Sequence, residues 1–255
     1  METNHLLQKG ELHIPCVLTQ PEPGPVQRVI LGVHGLGGSR RDQIQAGLAE
    51  EMALFSAATV RFDFPGHGKN TTPLTLKNCI DSLLEAARYA HGLFPEVEDL
   101  CIFATGFGAY VTLVALEQLL ELPVKIKLVV QTPSVLMHLT LLSMARLSEE
   151  TFWAMEKITF PTDPPLVFTY RFYEELMQHI ALVPHPIPML ILQGEDDAYI
   201  RDIDIRRFRS INEQAKLVTI PGASHRFMEE GAWDMVLDLT RDWFEFEQVL
   251  LTDWE

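Results

Sequence analysis

Apolar residues occur along this chain in short continuous blocks, separated by longer amphipathic stretches. Val29-Ile30-Leu31-Gly32-Val33, residues 58–64, Leu100-Cys101-Ile102-Phe103, residues 125–131 and Pro188-Met189-Leu190-Ile191-Leu192-Gln193 are such blocks. Unbroken runs of this length, in place of strict alternation, predict strands buried on both faces. Residues 11–18 and 216–220 read as further strands, and Pro21-Glu22-Pro23-Gly24-Pro25 as a turn after the first. Between the blocks the spacing becomes helical. Residues 42–55 predict one helix. Leu76, Ile80, Leu83, Leu84 and Ala87 predict another, with Thr72-Pro73 as its cap and first turn. Val111, Leu113, Val114 and Leu116 follow the third block, and Trp233, Val236, Leu237 and Phe244 mark a last amphipathic helix. Strands alternating with helices predict the α/β class: a single domain over residues 1–255, with a mainly parallel sheet covered by helices on both faces.

The alternation breaks at residues 132–186. Val135 to Met144 is rich in Leu and Met, and seven aromatic residues follow between Phe152 and Tyr173, interrupted by Pro161, Pro164 and Pro165. The segment reads either as ordinary core or as an inserted cap whose apolar face roofs a pocket. Under the second reading Leu136, Met137, Met144, Phe168 and Tyr170 are candidates to touch a ligand, and Met adapts to many ligand shapes.

Composition narrows the partners. The 255 residues carry 20 Lys plus Arg against 35 Asp plus Glu, a net charge of −15. That balance argues against nucleic acid and against anionic membrane surfaces. No apolar run reaches the roughly 18 residues of a membrane span. Cys16, Cys79 and Cys101 are scattered, with no C-x-x-C pair. This suits a reducing compartment, and the N-terminal residues show no secretory pattern, so a cytoplasmic location is expected. No repeat or low-complexity tract occurs, and nothing in the sequence specifies an oligomeric state.

The candidate chemistry sits just after the predicted strands, at His34, Pro65, Gly106, Asp197 and His225. In an open parallel sheet those ends line the ligand crevice. A carboxylate on one imidazole nitrogen fixes the tautomer and turns the other nitrogen toward a nucleophile. Asp197 and His225 suit that pairing, with Asp196 as an alternative acid. A nucleophile elbow is a strand, a sharp turn and a helix carrying G-x-S-x-G. The corresponding residues are Ala104-Thr105-Gly106-Phe107-Gly108, so glycine occupies the nucleophile position. Shifting the register by two puts Gly108 there instead, and neither register supplies Ser, Cys or Asp. Thr105, Cys101, Ser224 and Ser39 are the remaining hydroxyl and thiol groups to weigh. Thr105 is one position early, and Cys101 lies in a strand where a buried thiol stays inert. His34 and His67 lie in different loops without ligand spacing, so no metal is expected.

Four strings carry a family resemblance: His34-Gly35-Leu36-Gly37-Gly38, Arg61-Phe62-Asp63-Phe64-Pro65-Gly66-His67-Gly68, Gly194-Glu195-Asp196-Asp197 and Pro221-Gly222-Ala223-Ser224-His225. Over nearly its whole length the chain resembles the α/β-hydrolases, most of all the group of cinnamoyl/feruloyl esterases, monoacylglycerol lipases and serine aminopeptidase-like enzymes. The resemblance implies Asp197 as the acid, His225 as the general base, and the backbone N–H groups of Leu36 and Phe107 as oxyanion donors. It places the nucleophile at Gly106, where the match fails. The aromatic and Met-rich cap suits a small apolar or aromatic acyl ligand, and no cofactor is needed for ester hydrolysis or signalled by the sequence. Three functions follow: an esterase relative weakened by loss of its serine, a ligand-binding or sensing protein on the same scaffold, or a slow hydrolase using His-activated water.

Overall fold

The computed structural model of the protein describes residues 1–21 and 25–245. Residues 22–24 of the expected turn at 21–25 lie outside the described residues. An eight-stranded sheet is built from β1 (Glu2–Lys9), β2 (Leu12–Thr19), β3 (Arg28–Val33), β4 (Ala57–Phe62), β5 (Asp99–Thr105), β6 (Lys125–Gln131), β9 (Met189–Gly194) and β10 (Ala215–Ile220). A separate antiparallel pair, β7 (Lys157–Phe160) and β8 (Leu166–Thr169), lies between β6 and β9 in the chain. The large sheet runs in the order β1-β2-β4-β3-β5-β6-β9-β10. β1 and β2 pair antiparallel with each other, and β2 pairs antiparallel with β4; from β4 onward every pairing is parallel. The mainly parallel α/β sheet read from the sequence is therefore present.

The continuous apolar blocks become strands with two buried faces. On β3, Val29, Leu31 and Val33 join one core cluster while Ile30 joins the other. On β5, Leu100, Ile102 and Ala104 face the first cluster, and Cys101 and Phe103 the second. Helices cover both layers: α1 (Gln43–Ala53) and α9 (Ala232–Glu245) contribute to the second cluster. The first is covered by α2 (Leu76–Leu93), α3 (Gly106–Val114), α4 (Leu116–Leu120) and α8 (Asp202–Ile211).

Two features differ from the sequence expectation. β1 carries a polar, alternating edge pattern and pairs along its whole length with β2 across a two-residue turn. The cap of α2 is Thr75, whose hydroxyl accepts from the N–H of Asn78, not Thr72-Pro73. Thr75 is the residue whose extended backbone leaves its oxygen free to meet the first turn.

Between β6 and β9 the chain forms α5 (Met137–Ala145), α6 (Glu149–Met155), the β7–β8 pair and α7 (Tyr170–Gln178). Phe152, Phe168, Phe172, Tyr173 and Leu176 are buried there. This unit is tied to the layer beside the sheet at two points. The Glu175 carboxylate accepts from the N–H of Leu76 (2.7 Å), at the N-terminus of α2, where a negative charge is stabilising. The Tyr110 hydroxyl of α3 donates to the His179 carbonyl (2.6 Å).

β3 has β4 on one side and β5 on the other, so the chain changes winding direction at this strand. A crevice opens beyond the carboxyl ends at such a switch point.

Candidate active site

Thr105 ends β5 and Gly106 begins α3, with no loop between them. Gly106 takes φ +49°, a left-handed backbone that glycine adopts without steric cost. Gly108 is needed for a different reason. A Cβ there would meet the Val33 carbonyl oxygen at 2.8 Å and its Cγ1 at 2.9 Å, so its absence lets α3 lie against the end of β3. The Thr105 hydroxyl does not cap α3; it donates to the Val33 carbonyl (3.4 Å). The first N–H groups of α3 are thus without a side-chain cap, and they have no partner within the helix.

Asp197 lies three residues past β9, with its side chain only 1% exposed. Its Oδ1 accepts from the N–H groups of Tyr199 (2.8 Å) and Ile200 (3.0 Å). Its Oδ2 accepts from Gln193 Nε2 (3.3 Å) and from His225 Nδ1 (2.8 Å). Burial pushes the carboxyl upward, but His225 and the two backbone donors outweigh it and hold Asp197 below the usual carboxylate range. Asp196 is exposed, and its N–H donates to the Ala223 carbonyl (2.9 Å). Of the two candidate acids, Asp197 is the one beside His225.

The loop bearing His225 follows β10 and is pinned at several points. The Gly222 N–H donates to Glu195 Oε2 (2.9 Å), the Ser224 N–H to Glu229 Oε2 (3.1 Å), and the Phe227 N–H to the Ser224 carbonyl (3.2 Å). The Tyr199 ring stands edge-on to the imidazole at 5.2 Å. Because an ionised carboxylate only accepts, Nδ1 carries a proton, and in the neutral ring Nε2 is then an acceptor. A Cβ built on Gly106 would lie 3.7 Å from that Nε2 and 4.0 Å from Cε1, and would meet no other heavy atom within 4 Å.

The loop after β3 closes the other side. His34 is buried; its Nδ1 donates to the Gly35 carbonyl (2.8 Å) and its Nε2 accepts from the Phe64 N–H (3.1 Å), joining the ends of β3 and β4. Burial lowers its pKa to about 4, so it is neutral at pH 7. His67 donates through Nδ1 to the Pro65 carbonyl (2.9 Å) and stacks on Phe107 at 6.1 Å. Burial, with His34 nearby, lowers its pKa to about 3.

These elements enclose a cavity of about 260 Å³. Leu36, Gly106, Phe107 and His225 line it, as do Met137 and Met144 of α5. Three other candidates lie elsewhere. Leu136 borders a neighbouring groove with Leu139 and Ser143. Phe168 is fully buried between Phe160 and Phe172, and the Tyr170 hydroxyl donates to Glu149 Oε1 (3.1 Å). Phe168 and Tyr170 pack within the β6–β9 insertion rather than at the cavity, because aromatic density there builds a small core of its own. Sequence reasoning missed Gln131, Thr132, Ser134, Thr140, Tyr199 and Arg226, all of which line the cavity. For Gln131 and Thr132 a signal existed: they are polar residues directly after an apolar block. Of the substitute nucleophiles, Thr105 is tied to Val33, Cys101 faces the second core cluster, and Ser39 and Ser224 are not cavity residues. Among the described residues no three His, Cys, Asp or Glu side chains gather as a metal site. No helix among them is long and apolar enough to cross a membrane.

The alpha/beta hydrolase family model matches residues 30–239. No curated protein matches by sequence. Among solved structures, a putative hydrolase from Agrobacterium vitis S4 is similar, with a TM-score of 0.80 and 15% identity over 96% of this chain and 100% of that one. Est1E from Butyrivibrio proteoclasticus, solved with ferulic acid bound, has a TM-score of 0.79 and 18% identity, covering 96% and 99%. Alpha/beta hydrolase domain-containing protein 10 from mouse has a TM-score of 0.73 and 16% identity, covering 95% and 98%.

Proposed function

The chain belongs to the α/β-hydrolase family, and from that premise we propose that it is an esterase relative that holds a small apolar or aryl acyl compound beside Gly106 and hydrolyses it weakly or not at all. The observation that carries this reading is the pairing of an intact dyad with an empty side-chain position. His225 Nε2 lies 3.7 Å from where the Cβ of residue 106 would be, and residue 106 is glycine.

In this reading Asp197 fixes the His225 tautomer, and Leu36 and Phe107 offer N–H groups to a carbonyl oxygen. Residues 132–186 act as a cap, with Met137 and Met144 turned to the acyl chain. What is missing is the covalent step. In a serine protease, loss of the nucleophile lowers kcat about 2 × 10⁶-fold, roughly 8–9 kcal/mol. Hydrolysis by water through His225 would retain only a residue of that rate.

The test is a chromogenic panel of short-acyl and aryl esters, with intact-mass spectrometry after a serine-directed phosphonate. The native chain is expected to show little turnover and no adduct. Gly106→Ser is expected to gain both, and Gly106→Ser with His225→Ala to lose the turnover again. Stoichiometric labelling of the native chain, abolished by Thr105→Ala or Ser39→Ala, would overturn the reading. A folded Gly106→Ser that stays inert toward the whole panel would shift it from esterase relative to binding or sensing protein.

A further inference from the structure

We propose that the ligand of this cavity is a free carboxylate, a small monocarboxylic acid with an apolar or aryl tail, bound together with a proton on His225. The proposal rests on the reading above, that an acyl compound sits beside Gly106 without acyl transfer.

The argument begins with atoms. In an acyl-enzyme the acyl carbon carries two oxygens: the carbonyl, on the oxyanion donors, and the ester oxygen supplied by the serine. A free carboxylate carries both itself. With glycine at 106, the second carboxylate oxygen can occupy the place of the missing Oγ. The Cβ position meets only the His225 ring, at 3.7 and 4.0 Å, so an oxygen beyond it falls within reach of Nε2. A serine in that place would compete with the ligand oxygen.

Charge favours an anion there. α3 is nine residues long and its N-terminus lacks a side-chain cap, so its first N–H groups present partial positive charge to the cavity. Arg226 lines the same cavity. Two carboxylates are close, and both are engaged. Asp42 caps α1 through Oδ1 (3.0 Å to the Ile44 N–H), and its Oδ2 lies 3.8 Å from Arg226 Nη2. Asp197 is behind the imidazole, saturated by four donors. The titratable and charged groups around His225 are thus Asp197 and Tyr199 on the β9 side, and Arg226 with Asp42 toward the mouth.

A buried amide borders the same place. Gln131 is 1% exposed, lines the cavity, and pairs in register with Thr105, the residue before Gly106. Its Oε1 is buried without a hydrogen-bond partner. That oxygen is an acceptor, which a carboxylate cannot meet; the NH₂ end of the amide is the one able to donate to a carboxylate oxygen.

The proton follows from the tautomer. Nδ1–H is committed to Asp197, so the Nε2 lone pair faces the cavity and would repel a carboxylate lone pair. Binding of RCOO⁻ therefore takes one proton from solvent onto Nε2, giving Nε2–H⁺···⁻O and a flanking Asp197 carboxylate. No bond to carbon forms or breaks.

The test is calorimetry with trans-cinnamate, octanoate and their methyl esters, repeated in buffers of different ionisation enthalpy. The acids are expected to bind with proton uptake and to weaken by up to about tenfold per pH unit as pH rises. His225→Gln is expected to remove the proton uptake and weaken acid binding about tenfold or more, the worth of a charge-assisted hydrogen bond, with little change for the esters. Gly106→Ser is expected to weaken the acids as well. Esters that bind as tightly as the acids, or acids that bind with no proton uptake and are indifferent to His225→Gln, would overturn the proposal and leave the acyl-ligand reading standing. Binding of neither acid nor ester would overturn both.

Discussion

Asp63 and Asp197 are two buried carboxylates, each within three residues of a strand end, and they do opposite things with their hydrogen bonds. Asp63 is fully buried after β4. Its Oδ1 accepts from the Arg40 N–H (2.7 Å), and its Oδ2 from the Lys69 N–H (2.8 Å) and the Arg40 guanidinium. Its own carbonyl accepts from Asn70 Nδ2 (2.9 Å). Every partner belongs to the scaffold, and neither Asp63 nor Arg40 reaches the cavity. Asp197 is as buried, but one of its partners is an imidazole whose other nitrogen faces the cavity. The histidines divide in the same way. His34 and His67 spend Nδ1 on nearby carbonyls and stay in the interior, while His225 is partly exposed. A polar residue after a strand is a candidate for chemistry only if its chain of hydrogen bonds ends on an atom a ligand can touch.

Removing each carboxylate tests this most strongly. Asp63→Ala leaves the Arg40 guanidinium, 7% exposed, without its counter-charge, and should cost about 3–5 kcal/mol in urea unfolding. Asp197→Ala should cost less, about 1–3 kcal/mol, because His225 is 27% exposed and can turn its freed N–H to water. Equal losses would break the distinction between a scaffold carboxylate and one that serves a site.

The next effect is smaller and is set by pH. His34 and His67 have folded pKa values lowered from 6.5 to about 4 and about 3. Unfolding releases them to bind protons, so their contribution is complete above pH 6.5 and is lost as pH falls toward the folded values. Near pH 5 the unfolded chain holds nearly two more protons at these sites, a slope of about 2.5 kcal/mol per pH unit. His67→Asn should reduce that slope by about one proton in unfolding measured between pH 7 and pH 5. An unchanged slope would mean that the buried histidines do not set the acid limit.

The same contrast explains what was legible in the sequence. Blocks such as Leu100-Cys101-Ile102-Phe103 announce strands because burial on both faces leaves no polar position, and the sheet follows from them. β1 escapes notice because, as an edge strand, it alternates and is mostly polar, with Leu7 as its contact to the core. The positions of Gly106, Asp197 and His225 are readable because each comes just after a strand. The choice of Asp197 over Asp196 is not, since it depends on which carboxylate the turn directs inward. The inserted unit is least legible. Its aromatic residues signal burial but not against what, and Phe168 and Tyr170 turn out to pack locally, whereas Ser134 and Thr140, unremarkable in sequence, line the cavity.

The smallest effect concerns the elbow, where two glycines two residues apart are predicted to differ. Both Gly106 and Gly108 are buried. A methyl group on Gly108 would press on the backbone of Val33, which cannot retreat without moving β3. A methyl group on Gly106 meets only an imidazole at ordinary contact distance, so Gly106→Ala should pay for the left-handed backbone alone, about 1–2 kcal/mol. Gly108→Ala should exceed that in the same urea titration. Gly106→Ser carries the same backbone cost and offsets part of it with a hydrogen bond to His225 Nε2, so it should be no less stable than Gly106→Ala. A cost for Gly106→Ala equal to that of Gly108→Ala would mean that residue 106 has lost the room for a side chain as well as the side chain itself. The elbow would then be closed to a returning serine, and closed equally to a ligand oxygen in its place.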